Sequence, residues 1–125
     1  MALDLAKVKQ VFLDMDGTIY HGGHLYPTTI PFLTFLKEHG IGYRFLSNNS
    51  SFSTAEYAAK LNRLGIPATE DMFYISTDYT IDYLKANHPE IRRVFVLGMP
   101  CIYPAFEAAG FTVTEEDPDA VIVAL

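Results

Sequence analysis

The chain has 125 residues, 50% of them hydrophobic and 19% charged, a composition typical of one folded domain and not of a disordered chain. Acidic residues outnumber basic ones, 15 to 9, and the net charge of −6 argues against nucleic acid or an anionic membrane surface as a partner. The single cysteine, Cys101, excludes an internal disulfide. Apolar runs are too short to cross a bilayer and the first residues lack the apolar centre of a signal peptide. We therefore expect a cytoplasmic protein that contacts neither nucleic acid nor membrane.

Short β-branched or aromatic runs alternate with helical patterns along the chain. The clearest helix starts after Ser53, because Ser53-Thr54-Ala55-Glu56 fits a capping box and Gly65 can take the left-handed conformation that ends a helix. Alternation of strands and helices predicts an α/β fold, a Rossmann-like parallel sheet with flanking helices. The predicted order is strand 8–13, helix 28–39, strand 41–46, helix 53–64, helix 77–86, strand 93–97, helix 104–109, and strands 111–114 and 120–125.

An acidic turn, Asp14-Met15-Asp16-Gly17-Thr18, follows the first predicted strand. Because Gly17 lets the chain turn directly after Asp16, both carboxylates lie at the carboxyl end of the strand, where open α/β sheets bind ligands. Two such close carboxylates repel each other unless a cation or a proton intervenes. A hard divalent ion such as Mg²⁺ removes the repulsion and also anchors a phosphate. We therefore predict a Mg²⁺ site at Asp14 and Asp16; a solvated acidic turn is the less favoured alternative.

A second polar segment, Ser47-Asn48-Asn49-Ser50-Ser51, follows the second predicted strand and leads to the helix that begins near Ser53. Its hydroxyls and backbone N–H groups, together with the helix dipole, form a natural anion cradle. Ser and Asn also cap ordinary strand-to-helix loops, so this segment alone does not decide the function. Neighbouring parallel strands bring both loops to one edge of the sheet, and we expect the two segments to form one site.

The two motifs together resemble the haloacid dehalogenase superfamily of phosphohydrolases. The motifs are Asp14-x-Asp16-Gly17-Thr18 and Leu46-Ser47-Asn48-Asn49-Ser50. The resemblance covers essentially the whole chain, residues 1–125, and implies the core fold of that superfamily. Later segments are similar to the class IIA branch, the NagD-like and 4-nitrophenylphosphatase-like enzymes; they are Phe73-Tyr74-Ile75-Ser76, Val96-Leu97-Gly98, Ala109-Gly110-Phe111-Thr112-Val113 and Pro118-Asp119-Ala120-Val121-Ile122-Val123.

The resemblance implies a Mg²⁺-dependent phosphatase that acts through an aspartyl-phosphate intermediate. Its substrate would be a small phosphorylated metabolite such as a sugar phosphate, a nucleotide or pyridoxal phosphate. Asp14 would be the nucleophile and Asp16 the general acid and base. A side-chain oxygen of Asp14 and the backbone carbonyl of Asp16 would hold Mg²⁺. The implied phosphate-binding residues are Ser47, Asn48, Gly17 and Thr18.

The same resemblance implies parts that the 125 residues do not contain: a cap domain, a lysine that screens nucleophile and phosphate, and an acidic loop that completes the Mg²⁺ shell. We therefore expect residues 1–125 to be the N-terminal part of such a core, truncated before the cap and inactive alone. We also expect strand 8–13 to be an apolar edge that pairs with a second copy or with the missing C-terminal portion.

Two other functions compete with this interpretation. A non-catalytic remnant that binds Mg²⁺ and phosphate, or a partner protein, agrees with the missing lysine and acidic loop. A receiver-like phosphoacceptor domain also uses carboxylates and Mg²⁺, but it carries its phosphorylated aspartate on a later strand.

Residues 17–26 match the region that forms a mobile flap in the family. His21 and His24 could bind a metal, but a role in the flap is favoured. Ordinary surface or packing roles are predicted for Tyr20, Tyr26 and Cys101.

Overall fold

Strands and helices alternate along residues 4–125, the part of the chain that the structure, a computed structural model, describes. Every predicted strand and helix is present, with ends within two residues of the predicted ones, and the α/β class is confirmed. In chain order the elements are β1 (Gln10–Asp14), β2 (Tyr20–His21), β3 (His24–Leu25), α1 (Thr29–Glu38), β4 (Gly42–Ser47), α2 (Thr54–Arg63), β5 (Phe73–Ile75), α3 (Ser76–Asn87), β6 (Arg93–Gly98), α4 (Tyr103–Ala108), β7 (Thr112–Val113) and β8 (Ala120–Ala124).

Within residues 4–125 the hydrogen-bonded strands form two parallel sheets, where one was predicted. The first has the order β1-β4-β5 and the second the order β7-β6-β8. The β2–β3 hairpin is antiparallel. The sequence patterns did not predict β5, β2 or β3, because two or three residues are too few to show a strand period.

The capping box predicted at the start of α2 is present. The Glu56 N–H donates to Ser53 Oγ at 3.2 Å, and the Ser53 N–H donates to Glu56 Oε2 at 2.8 Å. Both bonds satisfy donors that a helix N-terminus otherwise leaves unpaired. At the other end, Gly65 has φ +94°, the left-handed conformation in which glycine avoids the steric cost of a Cβ. The capping box therefore marks where α2 begins, and Gly65 marks where it ends.

Two apolar cores lie against the two sheets. In the first, Phe45 and Leu61 are completely buried, and the rings of Phe45 and Phe73 stack with centroids 5.2 Å apart. In the second, Val94 and Phe106 are completely buried. The first core anchors the strands that carry both predicted motifs, so the position of the motifs depends on its packing.

Strand β1 lies at the edge of its sheet, as expected. It pairs with β4 on one side, and no strand within residues 4–125 covers its other side. The Phe12 side chain on this strand is 59% exposed. Association with a second copy or with further chain along this edge stays a prediction.

Within residues 4–125, no helix has both the length and the apolar character needed to cross a membrane.

Candidate active site

The predicted site lies where β1 and β4 end. Asp14 is the last residue of β1 and stands opposite Leu46, and Ser47 closes β4 one residue later. Asp14 and Asp16 are exposed, whereas their neighbour Met15 is buried. This alternation directs both carboxylates away from the core. The two motifs therefore meet at one edge of the sheet.

One cleft of about 310 Å³ contains residues of both motifs. Asp14 and Asp16 line it from the acidic turn, and Ser47, Asn48 and Asn49 line it from the second loop. Carboxylates and hydroxyl or amide groups therefore face the same space. This is the juxtaposition that a phosphate and its counter-cation require. Aromatic side chains and one lysine complete the wall; they are Tyr20, Phe52, Tyr57 and Lys60.

The turn after β1 is held by its own hydrogen bonds. Gly17 has φ +82°, and its N–H donates to the Tyr20 carbonyl at 2.8 Å. The Thr18 N–H donates to the Met15 carbonyl at 3.0 Å, and the Thr18 hydroxyl donates to Asp14 Oδ2 at 3.3 Å. Gly17 therefore shapes the turn and Thr18 orients the Asp14 carboxylate. Their assignment as phosphate ligands stays a prediction.

Tyr57, on α2, positions the Ser47 hydroxyl. The two hydroxyl oxygens are 3.0 Å apart, and Ser47 Oγ also accepts a hydrogen bond from the Asn49 N–H at 3.1 Å. Burial raises the pKa of the Tyr57 phenol above its usual value; the hydrogen bond with Ser47 lowers it in part, and the negative charges of Asp16 and Asp14 raise it. The phenol is thus protonated at neutral pH and can donate to Ser47. The Ser47 proton can then point to an anion in the cleft.

Replacing Tyr57 with phenylalanine should weaken binding of inorganic phosphate by roughly fivefold, the value of about one hydrogen bond. The variant keeps the buried ring and loses the hydroxyl that lies 3.0 Å from Ser47 Oγ and 3.5 Å from the Asn49 carbonyl oxygen. Isothermal titration with phosphate in the presence of Mg²⁺ measures the effect. Tyr83→Phe, on the exposed surface of α3, is the matched control. Equal phosphate affinity of the two variants would contradict a positioning role for Tyr57.

Tyr20 and Lys60 form a contact at the cleft wall that the sequence analysis missed. Tyr20 is 2% exposed, and burial raises the pKa of its phenol to about 12, with Tyr57, Asp16 and Asp14 contributing. The Lys60 Nζ lies 4.1 Å from the centre of the Tyr20 ring. Tyr57 and Lys60 are three residues apart on α2 and so share one face of the helix. That spacing was the signal available in the sequence.

The oxygen ligands of the cleft fit a hard cation such as Mg²⁺ better than zinc. Within residues 4–125 there is no group of three or more His, Cys, Asp or Glu side chains that could hold a metal ion. Asp14 and Asp16 thus offer two carboxylates at most. Mg²⁺ is commonly bound by one or two carboxylates, with water and substrate phosphate completing its shell, whereas zinc sites use three or four protein ligands.

The other residues weighed from the sequence lie apart from this cleft. His21 and His24 stand opposite each other in the β2–β3 hairpin and are both exposed; no third ligand joins them within the described range. Cys101 donates from Sγ to the Ser51 carbonyl at 3.3 Å. Burial raises the pKa of its thiol, and the neighbouring Glu56 adds to this, so Cys101 has no thiolate character at neutral pH.

Comparison with known proteins gives one consistent family. The family model described as "haloacid dehalogenase-like hydrolase" matches residues 11–112. The 5′-nucleotidase YutF of Bacillus subtilis is 33% identical over 94% of this chain and 45% of its own length. This chain therefore spans less than half the length of that curated relative.

Solved structures agree with the family match. The 4-nitrophenylphosphatase of Thermotoga maritima superposes with a TM-score of 0.88 at 35% identity, over 95% of this chain and 45% of that protein. The glycerol phosphate phosphatase of Mycobacterium tuberculosis, solved in complex with magnesium, superposes with a TM-score of 0.82 at 27% identity, over 93% and 35% of the two chains. A calcium complex of the same enzyme is similar to this chain as well. The fold predicted from the sequence is thus confirmed.

Proposed function

The chain belongs to the haloacid dehalogenase-like hydrolase family, and we propose that its protein is a Mg²⁺-dependent phosphatase. Its substrate is a small phosphorylated metabolite, such as a sugar phosphate, a nucleotide or pyridoxal phosphate. One observation carries the proposal: Asp14, Asp16 and Ser47 line a single cleft at the edge of the sheet. The phosphatase names of the similar proteins support it. Because the chain spans less than half of YutF, the activity is proposed for the whole gene product.

The reaction would proceed in two steps. An Asp14 carboxylate oxygen attacks phosphorus, so that a new P–O bond forms while the bond to the leaving oxygen breaks and Asp16 gives its proton to that oxygen. Asp16 then takes a proton from a water whose oxygen attacks the same phosphorus. The bond between phosphorus and Asp14 breaks, and inorganic phosphate is released with both aspartates restored.

The surrounding residues would hold the reactants in place. Ser47, oriented by Tyr57, and the Asn48 N–H bind phosphoryl oxygens and stabilise their charge in the transition state. Thr18 fixes the Asp14 carboxylate through Oδ2. The Asp14 side chain and the Asp16 backbone carbonyl would hold Mg²⁺, which when bound supplies positive charge to the phosphoryl group.

Metal removal tests this proposal. Hydrolysis of 4-nitrophenyl phosphate by the gene product should fall to the buffer rate after treatment with a chelator and return when Mg²⁺ is added. The reason is that a phosphate dianion meets two carboxylates in the cleft unless a cation is present. Turnover that is indifferent to the chelator would refute the Mg²⁺ dependence. No phosphate release from a panel of sugar phosphates, nucleotides and pyridoxal phosphate would refute the phosphatase.

The second candidate function is a module that binds Mg²⁺ and phosphate without turnover. It is favoured for residues 1–125 alone, because they span 45% of YutF and contain neither the lysine nor the acidic loop that the family resemblance implies. The two candidates differ in a single measurement. The 125-residue chain should bind phosphate in titration and yet release none from 4-nitrophenyl phosphate under the same conditions.

A further inference from the structure

We propose that Lys60 is a phosphate-binding residue of this cleft, with its ammonium group held in place by the Tyr20 ring. The inference rests on the proposed function, because it adds a residue to the same site. Lys60 is on α2, away from both motifs in the sequence, and it lines the cleft together with Asp14, Asp16 and Ser47.

Tyr20 gives Lys60 a fixed platform. The Tyr20 side chain is 2% exposed. Tyr20 follows the acidic turn, and its carbonyl accepts a hydrogen bond from the Gly17 N–H. Nζ lies 4.1 Å from the ring centre, within the range of a cation–π contact. Such a contact restricts the flexible lysine stem, so that less conformational entropy remains to be lost when an anion binds.

Lys60 supplies positive charge to a cleft that also contains two carboxylates. Of the described residues that line it, Asp14 and Asp16 are acidic and Lys60 alone is basic. Neither of the two ion pairs formed within residues 4–125 includes Lys60. Its positive charge is therefore not neutralised by a direct carboxylate partner. A phosphate dianion entering the cleft would gain from it the attraction that offsets part of the repulsion by the two aspartates.

A purely structural role is the competing explanation. A lysine over a tyrosine ring can stabilise the packing of α2 against β2 without touching any ligand. The two explanations differ in what they predict for phosphate. A packing residue affects the stability of the fold, whereas a phosphate-binding residue affects anion affinity and its dependence on salt.

Titration of the chain with inorganic phosphate, at saturating Mg²⁺ and low salt, separates these explanations. Lys60→Gln should weaken phosphate binding about tenfold, the usual worth of a hydrogen bond to a charged group. Lys60→Arg keeps the charge and should stay within about twofold of the wild type, since arginine also binds phosphate. Lys37→Gln, on the exposed face of α1, is the matched control and should leave the affinity unchanged.

A second measurement needs no variant. Limited acetylation of the wild-type chain, mapped by mass spectrometry, should show that phosphate protects Lys60 and leaves the rate at Lys37 unchanged. The inference would be overturned if Lys60→Gln bound phosphate as tightly as the wild type, or if phosphate did not protect Lys60 from acetylation. Either result would leave the proposed function standing. Absence of phosphate binding by the wild-type chain would also overturn this inference, whereas the phosphatase activity proposed for the whole gene product is tested separately, by its release of phosphate.

Discussion

Replacing Asp14 with asparagine should lower hydrolysis of 4-nitrophenyl phosphate by the gene product on the order of 10³-fold or more, because the amide is no nucleophile. The substitution keeps the shape of the side chain. Asp14 is exposed, so the free energy of unfolding should change by less than about 1 kcal/mol. Initial rates and urea unfolding of both proteins measure the two effects. A large loss of activity with an unchanged fold is the expected result.

Asp117→Asn is the control for this experiment. Asp117 is exposed and has φ +43°, a left-handed conformation that asparagine tolerates as well as aspartate does. The Asp117→Asn variant of the gene product should hydrolyse 4-nitrophenyl phosphate at the wild-type rate. Equal rates for Asp14→Asn and Asp117→Asn would show that the activity belongs to a contaminant or to another nucleophile. Either result decides whether Asp14 has the role that the family resemblance implies.

Local patterns were enough to predict the architecture and the two motifs. The capping box at Ser53 and the stop at Gly65 are properties of a few adjacent residues, and both are present in the structure. The predicted meeting of Asp14 with Ser47 needed only the rule that parallel strands end at a common edge. These predictions succeeded because each depends on short-range geometry or on a general property of parallel sheets.

The contacts that hold the residues of the site in place could not be predicted in the same way. Tyr57 reaches Ser47 across ten residues, and Lys60 reaches Tyr20 across forty. Such contacts depend on how α2 packs against the first sheet, which the periodicity of a helix does not specify. The helical spacing of Tyr57 and Lys60 shows that they share one face of α2, but it does not show that this face meets the acidic turn. Only the tertiary structure distinguishes Tyr20 and Tyr57 from the other tyrosines.

Strand β4 joins the core to the site. Phe45 stands opposite Leu13 on β1 and Phe73 on β5, and Ser47 follows two residues later on the same strand. Packing on one side of the strand therefore fixes the position of the serine that is proposed to bind phosphate. Loss of that packing should affect the whole sheet edge, and not only the stability of the fold.

Phe45→Ala should accordingly lower the free energy of unfolding by about 3–5 kcal/mol, the usual cost of truncating a buried phenylalanine. Phe45 is 0% exposed and stacks on Phe73, so the cavity cannot be filled by water without cost. Urea unfolding measures the loss. If the alanine variant does not fold, Phe45→Leu, which leaves a smaller cavity and should cost less than Phe45→Ala, replaces it in the test. Phe12→Ala is the matched control: Phe12 is 59% exposed on the edge strand, and its removal should cost within about 0.5 kcal/mol. Equal losses for Phe45→Ala and Phe12→Ala would mean that β4 is not the centre of this core, and the account of how the fold positions Ser47 would then be wrong.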